Sequence, residues 1–154
     1  MIDMVEGKQY TFEEAIDLFE KIEKPDLALD ELILLTLGLL EDKPINGRVV
    51  FHKEVFLLYN ELIKKGLKVA TPDFKKYKLG PFSFIIASLI ESLEFAGYIE
   101  ISNKRSMKTS KYQLTEKGRK VANKIIENLS KRYGISYINS LRELRKGWDQ
   151  LGHD

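Results

Sequence analysis

The sequence has no cysteine in 154 residues. That excludes disulfides, thiolate zinc sites, iron–sulfur clusters and cysteine nucleophiles together, and suits a reducing compartment. Histidine is nearly as scarce: His52 and His153 are the only two, which leaves no pair at metal-ligand spacing. No G-x-x-x-x-G-K-[ST] phosphate loop and no G-x-G-x-x-G turn occurs. Long apolar runs are missing too. The longest, around 32–40, is broken by Thr36 and Gly38, whereas about 20 apolar residues are needed to span a bilayer. The first residues show no basic flank followed by an apolar run and a small-residue cleavage site, so the sequence reads as cytoplasmic.

One pattern resembles an enzyme: Pro25-Asp26 followed by Glu41-Asp42-Lys43 has the form of a metal-dependent nuclease motif. The Leu-rich segment between them reads as helix, which places the two groups about 22 Å apart at 1.5 Å rise per residue, too far to share an ion. His52, alone on a helix flank, reads as a structural or surface residue. The sequence therefore predicts no enzyme, no cofactor and no metal.

What is present is 44% hydrophobic and 31% charged, enough for one globular domain, or a small domain with helical extensions, whose core needs no covalent staple. Charge is segregated. Residues 1–46 hold 4 Lys/Arg against 12 Asp/Glu, and 47–154 hold 21 against 11. Two basic islands stand out, Lys64 to Lys78 and Lys104 to Arg132, as candidate phosphate contacts or as solvated lysine-rich surface.

Periodicity supplies the elements. Thr11-Phe12-Glu13-Glu14 has capping-box form and predicts a helix over 12–23 ended by Pro25. Asp26 is expected to cap a second helix reaching Leu40, apolar nearly all round and so the central core element. Residues 48–65 predict a third helix closed by Gly66, and Ser83 opens a fourth that ends at Gly97. Between those two, residues 67–82 carry Pro72, Gly80 and Pro81, too many breakers for a long element. The period then changes from 3.6 to 2: residues 98–102 and 111–114 read as two strands joined by a basic tip. Thr115 caps another helix, and a last amphipathic segment runs from Tyr137 to Leu151.

This order is that of a winged helix-turn-helix. Gly97-Tyr98-Ile99 and Tyr112-Gln113-Leu114-Thr115-Glu116-Lys117-Gly118 resemble the "G-x-I … Y-x-L-T-x-x-G" pattern of PadR- and MarR-like regulators. Ile45-Asn46-Gly47-Arg48 with Tyr77-Lys78-Leu79-Gly80-Pro81-Phe82-Ser83 is more closely similar to the YwgA-like winged-helix group and, distantly, to the Panacea antitoxin domain. The similarity covers roughly residues 30–120. It implies a mainly α fold with a small β-hairpin wing, divided as an N-terminal helical extension (1–26), a winged-helix domain (27–132) and a C-terminal helix (133–154).

The expected function is that of a transcriptional regulator on double-stranded DNA. Lys104, Arg105, Lys108 and Lys111 of the wing, with Lys75, Lys76 and Lys78, would contact the backbone, and Ser83 and Ser88 would make limited base contacts. One departure matters: helix 83–96 has no Arg, Lys, Asn or Gln for reading base edges. A second expectation, a protein-interaction module, draws on the acidic region 1–42 and on Phe84 and Phe95, which share a helix face with Ser88, Glu91 and Ser92. Tyr137, Leu141, Leu144 and Trp148 form a terminal stripe expected to build a homodimer, or to fold back on helix 12–23.

Overall fold

The structure, a computed structural model, describes residues 3–5, 8–16 and 25–150. It is mixed α/β and mainly helical, with small antiparallel sheets. The chain opens on a strand pair, β1 (Asp3–Val5) and β2 (Lys8–Tyr10), in the region expected to be a helical extension. Residues 12–16 are helical. Thr11 Oγ1 accepts from the Glu14 amide at 3.2 Å and donates to its carboxylate at 3.0 Å. The rest of the helix expected over 12–23 lies outside the described residues.

Helix α1 (Leu29–Gly38) is the centre of the core, with every residue from Leu32 to Gly38 buried. Its cap differs from expectation. Ala28 occupies the cap position, and its amide donates to Glu31 Oε1 at 3.0 Å. Asp26 is used elsewhere: its carboxylate accepts from the Lys68 amide at 2.8 Å and from Arg132 at 3.0 Å, and these two donors hold its pKa below the usual carboxylate range.

After α1, strand β3 (Ile45–Asn46) leads through Gly47 into α2 (Arg48–Lys65), which Gly66 closes in the left-handed conformation. Then come β4 (Lys75–Tyr77), β5 (Gly80–Phe82), α3 (Phe84–Phe95), β6 (Ile99–Ser102), β7 (Lys111–Leu114), α4 (Glu116–Tyr133) and α5 (Ile135–Trp148). The strands expected over 98–102 and 111–114 do pair, with Ile99 opposite Leu114 and Ser102 opposite Lys111. Periodicity gives no sign of β3, which is two residues long and adds to the outer edge of β7 with Ile45 opposite Tyr112.

Two glycines explain the motifs around this sheet. Gly47 has φ +95°, and a Cβ there would meet the Lys108 carbonyl at 3.3 Å. The loop from 103 to 110 is stitched to this turn: the Gly47 amide donates to Ser110 O at 2.6 Å and the Arg48 amide to Met107 O at 2.9 Å. At Gly118, in the first turn of α4, a Cβ would lie 2.0 Å from the Tyr98 carbonyl oxygen. Only glycine lets the helix start this close to β6, which accounts for the glycine three residues after Thr115, whose own side chain caps the helix at Gly118 N (3.1 Å).

The terminal helix α5 folds into the same core. Ile138 and Leu141 are buried, and Arg145 is wholly buried. The Arg145 guanidinium donates to the carbonyls of Thr36 (3.1 Å), Leu37 (2.7 Å), Leu40 (3.1 Å) and Lys43. It thereby occupies the orphan acceptors at the C-terminal end of α1 and places a cation at the negative end of that helix. Arg142 adds a bond to Leu39 O at 3.2 Å. This corrects the expectation of a stripe left over for a second copy: Leu141 is spent inside the chain, Tyr137 and Trp148 are half-buried against the core, and Leu144 alone of the four is exposed.

Candidate nucleic-acid interface and aromatic pocket

Residues 67–82 form neither a helix nor a simple turn. Strands β4 and β5 pair as a tight hairpin, Lys75 opposite Phe82 and Tyr77 opposite Gly80, with Lys78 and Leu79 as its two-residue tip. Lys75, Lys76, Tyr77, Lys78 and Leu79 are all exposed. The hairpin rests on α2, where a Cβ at Gly80 would lie 3.0 Å from Lys53 Cε.

The second basic island begins in the β6–β7 loop, where Lys104, Arg105 and Lys108 are exposed and Lys111 is half-buried at the start of β7. Lys104 pairs with Glu94 of α3 at 2.5 Å. The two basic loops meet at the N-terminus of α2: Leu79 and Lys78 from one and Met107 from the other line a common cavity of about 400 Å³ with Arg48 and His52. Segments some thirty positions apart in sequence thus bring Lys78, Lys108 and Arg48 to one end of the molecule.

The two serines expected at bases separate. Ser83 is fully buried; its hydroxyl accepts from the Ile86 amide at 3.1 Å and donates to the Pro72 carbonyl. It is the N-cap of α3 and has nothing left for a base, which corrects the sequence expectation at that position. Ser88 is exposed, one turn on, beside Glu91 and Ser92. Phe84 and Phe95 share this open face, 66% and 96% exposed.

The cavity is walled by aromatic side chains. Phe82 and Phe84 meet edge to face at 5.0 Å, and Tyr77 lies 5.6 Å from Phe82. His52 stacks on Phe82 at 4.6 Å with planes 20° apart. Its ring is 2% exposed and its Nδ1 is buried without a hydrogen-bond partner. Burial, and then the Arg48 charge, push its pKa down to about 4, so the imidazole is neutral at ordinary pH. No periodicity signals such a pocket, because its walls come from a hairpin, two helices and a loop; the Tyr77-Lys78-Leu79 run, apolar residues beside a charge at a turn, is its one visible trace in the sequence.

Among the described residues no group of His, Asp or Glu could hold a metal ion, and no helix is long and apolar enough to cross a membrane. Compared with known proteins, the chain matches no family model, no curated protein and no solved structure.

Proposed function

We propose that this chain is a non-enzymatic nucleic-acid-binding regulator on a winged-helix scaffold, with β6–β7 as the wing. The observation that carries the reading is the convergence of the two basic loops at the N-terminus of α2, where Arg48 and Lys78 line one cavity and Lys108 lines the one beside it. Cations gathered at one end neutralise a run of phosphates, whereas the same lysines scattered over the surface would not. Base reading by α3 is weak on this account. Its N-terminal serine is a buried cap, its open face carries Phe84, Glu91 and Phe95, and Glu94 already holds Lys104. Affinity then rests on backbone contacts.

The test is duplex binding measured against salt. The slope of log affinity against log salt shrinks by about 0.9 for each phosphate no longer neutralised, so replacing Lys104, Arg105 and Lys108 with Ala lowers it by roughly three units if all three engage. Replacing Lys75, Lys76 and Lys78 acts in the same direction. Absence of binding to both duplex and single-stranded probes at low salt, or binding indifferent to both replacements, rejects the proposal.

The exposure of Phe84, Ile85 and Phe95 on α3 favours a second reading, a protein-interaction module. A stoichiometric protein partner whose binding is lost with Phe95→Asp, in the absence of any nucleic-acid affinity, would establish it instead.

A further inference from the structure

The cavity where the basic loops meet does not suit a regular duplex. A duplex offers phosphates and stacked base edges, and neither fills a concave site with walls as apolar as those of Tyr77, Leu79, Phe82, Phe84 and Met107. Its surroundings do not suit a purely apolar ligand either, since Arg48 and Lys78 stand in its lining and Lys108 beside it.

We propose that this pocket receives a single unstacked nucleobase, so that the ligand is a nucleic acid with an unpaired nucleotide: a single strand, a bulge or a frayed end. The inference rests on the reading of the basic loops as phosphate contacts. Three observations meet in it. The volume, about 400 Å³, lies in the range of small-molecule sites and is ample for one base with part of its sugar. Phe82 gives one face to His52, whereas Phe84, two-thirds exposed, and exposed Tyr77 keep ring surface open to a planar guest, a contact every base can make. Behind Phe82, His52 is buried and stacks on it at 4.6 Å, which holds that ring in place. The flanking phosphates would fall to Arg48, Lys78 and Lys108.

The experiment uses the full chain with three probes of one sequence: a perfect duplex, the same duplex with one bulged fluorescent adenine analogue, and the corresponding single strand. The expected result is binding of the bulged and single-stranded probes about tenfold or more tighter than the perfect duplex, as one stacked base contributes, with quenching of the analogue on binding. Phe84→Ala, at a side chain two-thirds exposed in the free protein, should abolish the preference and the quenching. Equal affinity for all three probes, with duplex binding intact, overturns the pocket inference and leaves the proposed function standing. No binding to any probe overturns both. A preference that survives Phe84→Ala and Tyr77→Ala together also overturns the inference, since the base would then sit elsewhere.

Discussion

Arg145 Nε lies 3.7 Å from the Glu54 carboxylate, and both side chains have no exposed surface. Asp149 approaches the same nitrogen at 3.6 Å. Burial and the neighbouring Asp149 carboxylate push Glu54 up to about 9, against the opposing pull of Arg145. The guanidinium spends its other nitrogens on carbonyls at the end of α1 and beyond, so it fastens the first and last helices of the core together.

Removing that cation leaves those carbonyls and a buried carboxyl without a partner. Arg145→Met is therefore expected to cost about 3–5 kcal/mol, read as a shift of the urea midpoint. Glu54→Gln keeps the shape and replaces a carboxyl that is already protonated in the folded chain at ordinary pH, and is expected to cost far less. If Arg145→Met proves as mild as Glu54→Gln, the clamp contributes little.

The pH dependence follows from two groups with opposite signs. Folded Glu54 keeps its proton up to about 9, while the unfolded carboxyl loses it above 4.5; stability falls as pH rises between those values, by up to about 1.4 kcal/mol per unit. Folded His52 stays neutral down to about 4, while the unfolded imidazole takes a proton below 6.5; stability falls as pH drops between those values. The two slopes oppose each other from 4.5 to 6.5. In Glu54→Gln only the histidine slope remains, so its stability should rise up to 6.5 and then level off. Urea titrations across this range check the sign.

Ser83→Ala separates a structural serine from a contacting one. Loss of the cap and of the bond to Pro72 should destabilise the chain by about 1–2 kcal/mol. Nucleic-acid affinity, measured well below the melting temperature, should not change. A loss of affinity without a loss of stability would return Ser83 to the interface.

Gly118→Ala should be among the most damaging single substitutions, because its Cβ would fall 2.0 Å from a backbone carbonyl that cannot swing aside. Overpacking against movable side chains costs about 1–3 kcal/mol, and here the cost should reach at least the upper part of that range. Thermal melts beside Gly147→Ala, where no atom lies near the added Cβ, provide the control.

Shortening the chain to end at Arg132 removes Ile138, Leu141 and Arg145 from the core. The expected result is loss of cooperative unfolding, with exposed apolar surface. A shortened chain that folds well and merely changes its sedimentation would instead assign the terminal stripe to a second copy.

Much of the fold is written in local pattern. The capping hydroxyl of Thr115, the left-handed glycine after α2, the leucines of α1 and the period-2 alternation of residues 98–102 and 111–114 depend on neighbours a few positions away, and each lies where its spacing predicts. Thr11 likewise caps the turn it begins. What the chain could not disclose locally are relations over long separations. The Asp26 carboxylate has the residue type and position of a helix cap, but a backbone amide 42 residues away and a guanidinium 106 residues away claim it instead. Apolar spacing in α5 shows that one face must be covered and says nothing of which surface covers it; the buried Arg145, whose partners lie more than a hundred residues earlier, fixes that choice within the chain. The aromatic pocket belongs to the same class. Tyr77, Phe82, His52 and Met107 have no common period, and only the packing of a hairpin, a helix and a loop puts their side chains around one space. Hydrogen bonds and steric limits within a few residues act in the unfolded chain as they do in the folded one, so sequence determines them directly. The position of a buried charge or a shared cavity exists only once distant segments have excluded water between them, and that was decided by the tertiary structure.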